Sequence, residues 1–432
     1  MEIRKTRDGN VVELPLESWY GSRRYGQLYS QRRFLFPKAW DLALFTPEGL
    51  ANARPLSDVD IRRQLQQSIG TEPLRGVAEG RGDAVIIVDD LSRPTPAFAV
   101  LPAVLEELNA AGIGDDRITV IIGVGTHRPL SRAEQRRKLG RQILDRLQVV
   151  NHNCFTRRLT TYQRPDGGPD FRINRLVGEA GLKIAISGTI PHGGAGFGGG
   201  AKAILPSVAA YDSIQYNHTT FDWEGYGVLY PERIESPGIR QDMELCARAV
   251  GLDFSINLVF TPLKEVLGVF AGDFVKAHRQ ACRFAQDTYR TDVPTESLDV
   301  VIANSYPMDT DIGQSHRGTW PEKYGKQTVL LAGARDGWAF HGDGGKSYRT
   351  YRKKQPSASS DVYSFQQQGQ ADAGCYFSPI LTPEVYYARK VGRKLYNDWG
   401  QVIDALDGGG RERTVGIFPC ASLQLEHVNE WA

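Results

Sequence analysis

Residues 191–218 read PHGGAGFGGGAKAILPSVAAYDSIQYNH. The stretch holds His192 and His218, six glycines and one lysine, Lys202, in a chain with only 8 histidines among 432 residues. Glycine accepts positive φ and has no Cβ to keep a neighbour away, so such a run suits a turn that a ligand or another backbone approaches closely. Lys202 reads as a phosphate partner or, with a lowered pKa, as a nucleophile. Histidine is the usual general base near neutral pH and the commonest metal ligand. His127, in GTHRP, and His192 are each expected at a strand end. Two such imidazoles facing across a substrate would give the two-sided proton transfer that inversion of a stereocentre requires. His218 has no Cys or His close by in sequence, and a lone imidazole is a poor zinc site on its own. Asp90 and Arg93 lie three residues apart in DLSRPTP. There an arginine fork could read a carboxylate or hydroxyl, with the aspartate orienting it or binding a ribose; a local turn salt bridge is the plainer alternative.

Neither standard nucleotide motif fits the glycine run. A Walker A loop needs GxxxxGK followed by Ser or Thr. Here Ala201 precedes Lys202 and Ala203 follows it, so the magnesium-binding hydroxyl is missing. The dinucleotide fingerprint G-x-G-x-x-G, with an acid about 20 residues on, is not matched either. A phosphate cradle at Gly198, Gly199 and Gly200 stays open, as does a turn with no ligand.

These residues need a scaffold that gathers distant positions. Residues 83–89, 117–125 and 183–188 are short apolar runs of strand type. Polar loops follow the first two, and the glycine run follows the third. Phe98 to Leu108 has helical spacing, and Ser131 with Glu134 is a capping box. Ser57 caps a helix predicted to reach Gly70, and another helix is predicted from Ile204. A further strand is predicted to end at His152. Strand–loop–helix units in series imply right-handed crossovers and a mainly parallel sheet, with ligands beyond the carboxyl ends of its strands. All three loops fall there, so Asp90, Arg93, His127, His192 and Lys202 are expected to converge on one crevice.

A chain of 432 residues exceeds one ordinary core. A helical segment from Val275 to Tyr289 is predicted to connect to a second α/β pattern, with strands near 298–303, 328–332 and 414–418. The predicted fold is therefore α/β: two domains with mostly parallel sheets and an active-site cleft between them. Residues 1–283 form the first and 284–413 the second, with the tail from about 414 to 432 packing back on the first. A net charge of +2 argues against nucleic acid as a partner, and no apolar run approaches a membrane span, so no membrane partner is expected. Five scattered cysteines without a CxxC point to reduced thiols and a cytoplasmic protein. The Arg/Tyr stretch at 20–36 and the basic run within 342–360 are expected to be solvated surface.

Taken together, DLSRPTP at 90–96, GTHRP at 125–129, PH…GFGGGAKAILP at 191–206, NH at 217–218 and YPMD…Q..R at 306–317 resemble, in order, the nickel-dependent lactate racemases. The resemblance runs over roughly residues 45 to 420. It implies two α/β domains with a nickel-pincer nucleotide in the cleft, a pyridinium-3-thioamide-5-thiocarboxylic acid mononucleotide whose two sulfur-containing arms grip Ni. It also implies cofactor-biosynthesis proteins as loading partners and a small 2-hydroxy acid as substrate. By position, Lys202 matches the lysine joined to the cofactor through a thioamide, and His218 the protein ligand of Ni. His127 and His192 match the two catalytic bases. Asp90 and Arg93 match the loop that contacts cofactor and substrate, and Gln314 and Arg317 fall where the family has a Gln and a Lys holding the substrate carboxylate.

The implied reaction is reversible hydride transfer. One histidine takes the hydroxyl proton while the α-hydrogen leaves as hydride to the pyridinium carbon or nickel. Return of hydride to the other face of the planar 2-keto acid inverts the centre. Arg317 in place of Lys, with His316 beside it, and glycines after His192 where bulkier residues are expected depart from the family pattern. A planar fork binds carboxylates differently from an ammonium, so a substrate larger or more polar than lactate is expected, such as a dicarboxylate or a sugar acid. Two other readings remain: a zinc-dependent hydrolase using His127, His192 and His218, and a non-catalytic nucleotide-binding homologue. The first lacks HExxH and an obvious carboxylate ligand; the second is disfavoured because Lys202 and all three histidines are present.

Overall fold

Ala84–Asp89 reads AVIIVD, and every residue but the last is buried. A continuous apolar run of this kind is what a parallel strand covered on both faces requires. The computed structural model describes residues 2–16, 30–221, 238–340, 374–388, 392–407 and 410–427. In it this strand lies inside a six-stranded sheet ordered Val266–Gly272, Phe254–Phe260, Leu182–Gly188, Ala84–Asp89, Ile118–Gly123, Gln148–Asn151. Neighbours are parallel except the first two, which are antiparallel. Numbered along the chain, this is the doubly wound 3-2-1-4-5-6 order. Its direction of progression reverses between Ala84–Asp89 and Leu182–Gly188, which are hydrogen-bonded neighbours.

The chain divides into two compact units. One is Arg54–Gln286 with Phe340; the other holds the described residues of 1–53, 287–339 and 364–432. The second has its own parallel sheet, ordered Lys394–Tyr396, Gly374–Phe377, Gly325–Leu331, Leu298–Asn304, Arg413–Phe418, Trp40–Leu44. A three-stranded antiparallel sheet, Ile3–Lys5, Asn10–Leu16 and Ser30–Phe36, adds Val12, Leu14, Leu16, Phe34 and Phe36 to the core of that unit.

This division corrects the expected 1–283, 284–413 and 414–432 boundaries at both ends. Residues 1–53 go with the second unit because Trp40–Leu44 needs a sheet edge and finds it on Arg413–Phe418. The described part of the tail belongs to the second unit: Val415, Ile417 and Phe418 are buried on a strand inside its sheet, between Leu298–Asn304 and Trp40–Leu44.

Local expectations differ at two helices. Asp58–Gln66 has the Ser57–Asp60 capping box but ends before Gly70, because Ile69 pairs with Gly272 as a bridge. No helix starts at Ile204. Gly200–Ala203 is a 3-10 turn, Pro206 brings no N–H to continue it, and the helix begins only at Tyr211. Lys276–Tyr289 is more than a connector, since Ala277, His278, Ala281 and Cys282 are buried. Residues 20–29, the basic run within 342–360 and His341 lie outside the described residues. Among the described residues no helix is long and apolar enough to cross a membrane.

Candidate active site

The loops after Ala84–Asp89 and Leu182–Gly188 flank the point where the strand order reverses, which is where open α/β sheets place ligands. The first loop carries Asp90 and Arg93; the second carries His192. The adjacent strand, Ile118–Gly123, leads to His127.

Three of the expected residues meet. Asp90 Oδ2 lies 2.6 Å from His127 Nδ1. Its Oδ1 accepts from the Ser92 hydroxyl at 2.6 Å and from the Ser92 N–H at 3.1 Å. Arg93 Nη1 donates to Ser92 Oγ and O at 2.9 and 3.1 Å. Ser92, which sequence reasoning passed over, thus ties Arg93 to Asp90; its place two residues after an Asp in a turn was the available signal. The Asp90 carboxylate binds His127 and Ser92, so the simple turn salt bridge is not its arrangement. Burial opposes ionisation of Asp90, but His127, Arg93 and Ser92 outweigh it and hold its carboxyl well below the usual range. A group depressed in this way contributes stability at every pH above the ordinary carboxylate range, lost only as strong acid takes pH through its folded pKa. At neutral pH Asp90 therefore accepts, and the hydrogen belongs on His127 Nδ1, leaving Nε2 as the basic nitrogen.

His192 sits in a two-residue ladder, Pro191 opposite Phe197 and His192 opposite Gly196. It is 5% exposed, and its Nδ1 accepts from the Ala195 N–H at 3.2 Å. The glycine run behind it is held from inside. Arg240 is 1% exposed and donates to the carbonyls of Ala195, Phe197 and Gly199. Burial lowers its pKa to about 10, which leaves it charged at neutral pH. His278 Nε2 donates to Gly198 O at 2.8 Å, and Asn257 Oδ1 accepts from Gly200 N at 2.8 Å. Gly198 N is bound to Ile190 O.

A phosphate cradle at Gly198, Gly199 and Gly200 would have to draw on more than their own N–H groups. Two of their three N–H groups are engaged inside the protein, and a Cβ on Gly199 or Gly200 would strike Asn257 Oδ1 or Phe274 O within 2.9 Å. These glycines shape the approach to Lys202. Lys202 is half-buried at the end of the 3-10 turn, and its carbonyl accepts from Ser207 Oγ at 2.9 Å. Ser207 O in turn accepts from Gly125 N, which joins the lysine's segment to the loop of His127.

His218 is half-buried in the last turn of Tyr211–Thr220. The preceding residue, Asn217, donates to Asp242 Oδ2 at 2.7 Å, and Asp242 is paired with the buried Arg164. His152 and His278 are structural. His152 Nε2 donates to Ala209 O at 2.9 Å, and its Nδ1 accepts from Asn174 at 3.1 Å. Burial lowers the His152 pKa from 6.5 to about 4, and burial pushes that of His278 well below the ordinary value. The unfolded chain therefore binds protons that the native state does not, so stability falls as pH drops from about 6.5 to about 4. For His152 the full loss is on the order of 3 kcal/mol. Urea unfolding at pH 7 and pH 4.5 is expected to show a shallower decline in His152→Gln than in the parent; an equal decline would assign the acid lability elsewhere.

In the other unit, Asp311 caps a short helix by accepting from Gln314 N at 2.9 Å. Gln314 Oε1 accepts from Arg317 Nε at 2.7 Å, so the two residues expected at the substrate carboxylate are adjacent, with Gln314 orienting Arg317. His316 is half-buried and its pKa is lowered to about 4, by burial first and Arg393 second, which keeps it neutral. Among the described residues the one cluster of three possible metal ligands is Glu48, Asp292 and His427. His127, His192 and His218 form no such cluster, and the zinc-hydrolase reading loses its donor set.

A family model described as the lactate racemase N-terminal domain matches residues 25–225. The lactate racemase of Lactiplantibacillus plantarum is 33% identical over 294 residues, spanning 65% of this chain and 67% of that protein. The lactate racemase of Thermoanaerobacterium thermosaccharolyticum is 33% identical over 310 residues, spanning 69% and 70%. The solved lactate racemase apoprotein of the latter organism superposes with a TM-score of 0.67, covering 96% of this chain and 100% of that one. At 22% identity that superposition shows the fold. A Thermotoga maritima structure superposes with a TM-score of 0.63 at 18% identity, covering 87% of this chain and 99% of that one. The chain is thus an isomerase of the racemase class. It belongs to the lactate racemase family.

Proposed function

We propose that the protein racemises or epimerises C2 of a 2-hydroxy acid with a nickel-pincer nucleotide as its cofactor. The observation that carries this is the Asp90–His127 pair at the reversal point of the sheet, one strand-end loop away from His192. The donor set fits such a group. His218 brings one imidazole, so the metal's other ligands must arrive with the cofactor, while Lys202 brings a half-buried amine to which it can be joined. When bound, the cofactor supplies the hydride acceptor and donor.

The protein's own residues handle the protons. His127 Nε2 takes the substrate hydroxyl proton, and Asp90 holds Nδ1–H and stabilises the imidazolium that forms. His192 accepts at Nδ1, so its neutral form carries hydrogen on Nε2 and offers the substrate a hydrogen-bond donor there. The two imidazoles are thus held in opposite tautomers, and the proton that His127 takes is returned from His127 to the oxygen once hydride has gone back to carbon. Arg93, anchored on Ser92, takes the substrate hydroxyl oxygen, and Arg317, oriented by Gln314, takes the carboxylate. All five cysteines are free and buried, in keeping with a cytoplasmic protein loaded by cofactor-biosynthesis proteins.

Protein made together with those loading proteins is expected to contain nickel, to show a mass adduct on Lys202, and to turn over a dicarboxylic or sugar-derived 2-hydroxy acid faster than lactate. Zinc without an adduct, or loaded protein inert toward every 2-hydroxy acid tried, overturns the reading. Equal turnover of lactate with rejection of larger acids overturns the substrate assignment alone.

A further inference from the structure

Lys138 is an ammonium in the interior. It lies in the last turn of Arg132–Leu139 with its side chain 4% exposed. Its Nζ donates to Asp89 Oδ1 at 2.6 Å, Asp90 O at 2.9 Å and Arg93 O at 2.8 Å. An ammonium has three N–H donors, and all three are taken by the loop that carries Asp90 and Arg93. The other oxygen of Asp89, Oδ2, accepts from Thr95 Oγ1 at 2.6 Å and from Gly188 N at 3.3 Å. Gly188 ends the neighbouring strand that leads to His192, and a Cβ there would lie 2.6 Å from Thr95 Oγ1.

The helix that brings Lys138 begins just after His127. Ser131 caps it in a box with Glu134, and Arg128 grips both Glu134 oxygens at 3.0 and 2.8 Å. His127 therefore leaves one end of a rigid segment whose far end is fastened inside the loop of its own partner, Asp90. We propose that Lys138 and Asp89 are a positioning pair: they hold the Asp90–Arg93 loop against His127 and tie it to the strand feeding His192. A buried ion pair is by itself weak evidence for stability, because an apolar pair of similar volume often serves as well. The geometry gives these charges a different task. Two of the three acceptors are main-chain carbonyls of residues assigned to the reaction, and no apolar side chain can hold them.

The inference rests on the proposed reaction for its kinetic part, but its structural part can be read on apoprotein. In ¹H–¹⁵N spectra of histidine-labelled protein, the His127 ring N–H bonded to Asp90 is expected as a slowly exchanging signal, assigned by its loss in His127→Gln. Lys138→Met leaves Asp89 buried without its cation, and both the melting temperature and the His127 signal are expected to fall. Asp89→Asn/Lys138→Met removes both charges. It is expected to regain most of the melting temperature yet still lack the His127 signal, with kcat in loaded protein down on the order of 10²-fold and KM little changed. A double variant with the parental His127 signal, or with parental kcat, overturns the positioning role. If the double variant does not fold, Lys138→Gln, uncharged but with two donors, carries the same measurement and the same criterion. A protein that is no racemase would still show or lose the imidazole signal, so failure of the reaction assignment is distinguishable from failure of this one.

Discussion

His127→Gln is expected to lower kcat about 10³-fold in cofactor-loaded protein, within the range that positioned acid–base groups supply. Glutamine can keep a contact with Asp90 but has no nitrogen that accepts a proton. Asp90→Asn is expected to follow, with a loss on the order of 10²-fold or more, because a carboxamide no longer fixes the hydrogen on Nδ1 or stabilises an imidazolium. Asp90 itself is held ionised well below neutral pH, so its own titration does not enter the parental pH profile between pH 6 and pH 9. The measurement is initial rates of racemisation by chiral chromatography, with nickel content determined on each sample. A His127→Gln enzyme retaining a tenth of the parental kcat at full nickel occupancy would remove this imidazole from proton transfer.

Asp242→Ala is expected to have the largest effect on stability, about 3 kcal/mol, the low end of what breaking a buried ion pair costs, because Arg164 also pairs with the exposed Asp166 at 3.2 Å. Arg164 and Asp242 side chains are each 1% exposed. Arg164 is also sandwiched by Phe171 and Tyr216, 4.0 and 4.6 Å from the ring centroids, which limits how far it can turn once the Asp242 carboxylate is gone. Tyr216 and Asn217 precede His218 on the same helix, and Asn217 shares Asp242. The substitution should therefore weaken nickel retention as well as folding. Equilibrium unfolding in urea, with nickel content after dialysis, reads both. A change below about 1 kcal/mol would show that the network contributes little.

How much of this was legible in the residues depended on the range of the interactions. The strand Ala84–Asp89, the capping boxes at Ser57 and Ser131, and the run of strand–loop–helix units are local patterns, and each formed within a few residues of its expected place. The grouping of Asp90 with His127 followed from the parallel sheet, since consecutive strand ends must share one side. What sequence did not reveal was packing from behind. Arg240, His278 and Asn257 hold the glycine run through main-chain groups, contacts that leave no spacing rule. Lys138, in RRKL, reads as one more solvated cation on a basic helix, and only the tertiary structure buries it. Trp40–Leu44 was missed because its alternating buried and exposed residues fit any edge strand, and its partner lies hundreds of residues away.

That partner choice bears on how the protein is made. Trp40 pairs with Arg413, so 373 residues (413 − 40) separate two neighbours in one sheet. At ribosomal rates of about 5–20 residues per second, the early strand waits roughly 20 to 75 s for its mate. Residues 54–286, which carry all of the first unit's sheet, emerge complete in that interval. The unit assigned to the cofactor can thus assemble while the N-terminal strands still have an open edge. The seam that closes the second unit, between the first strand of its parallel sheet and the last, is among the latest pairings the nascent chain can make.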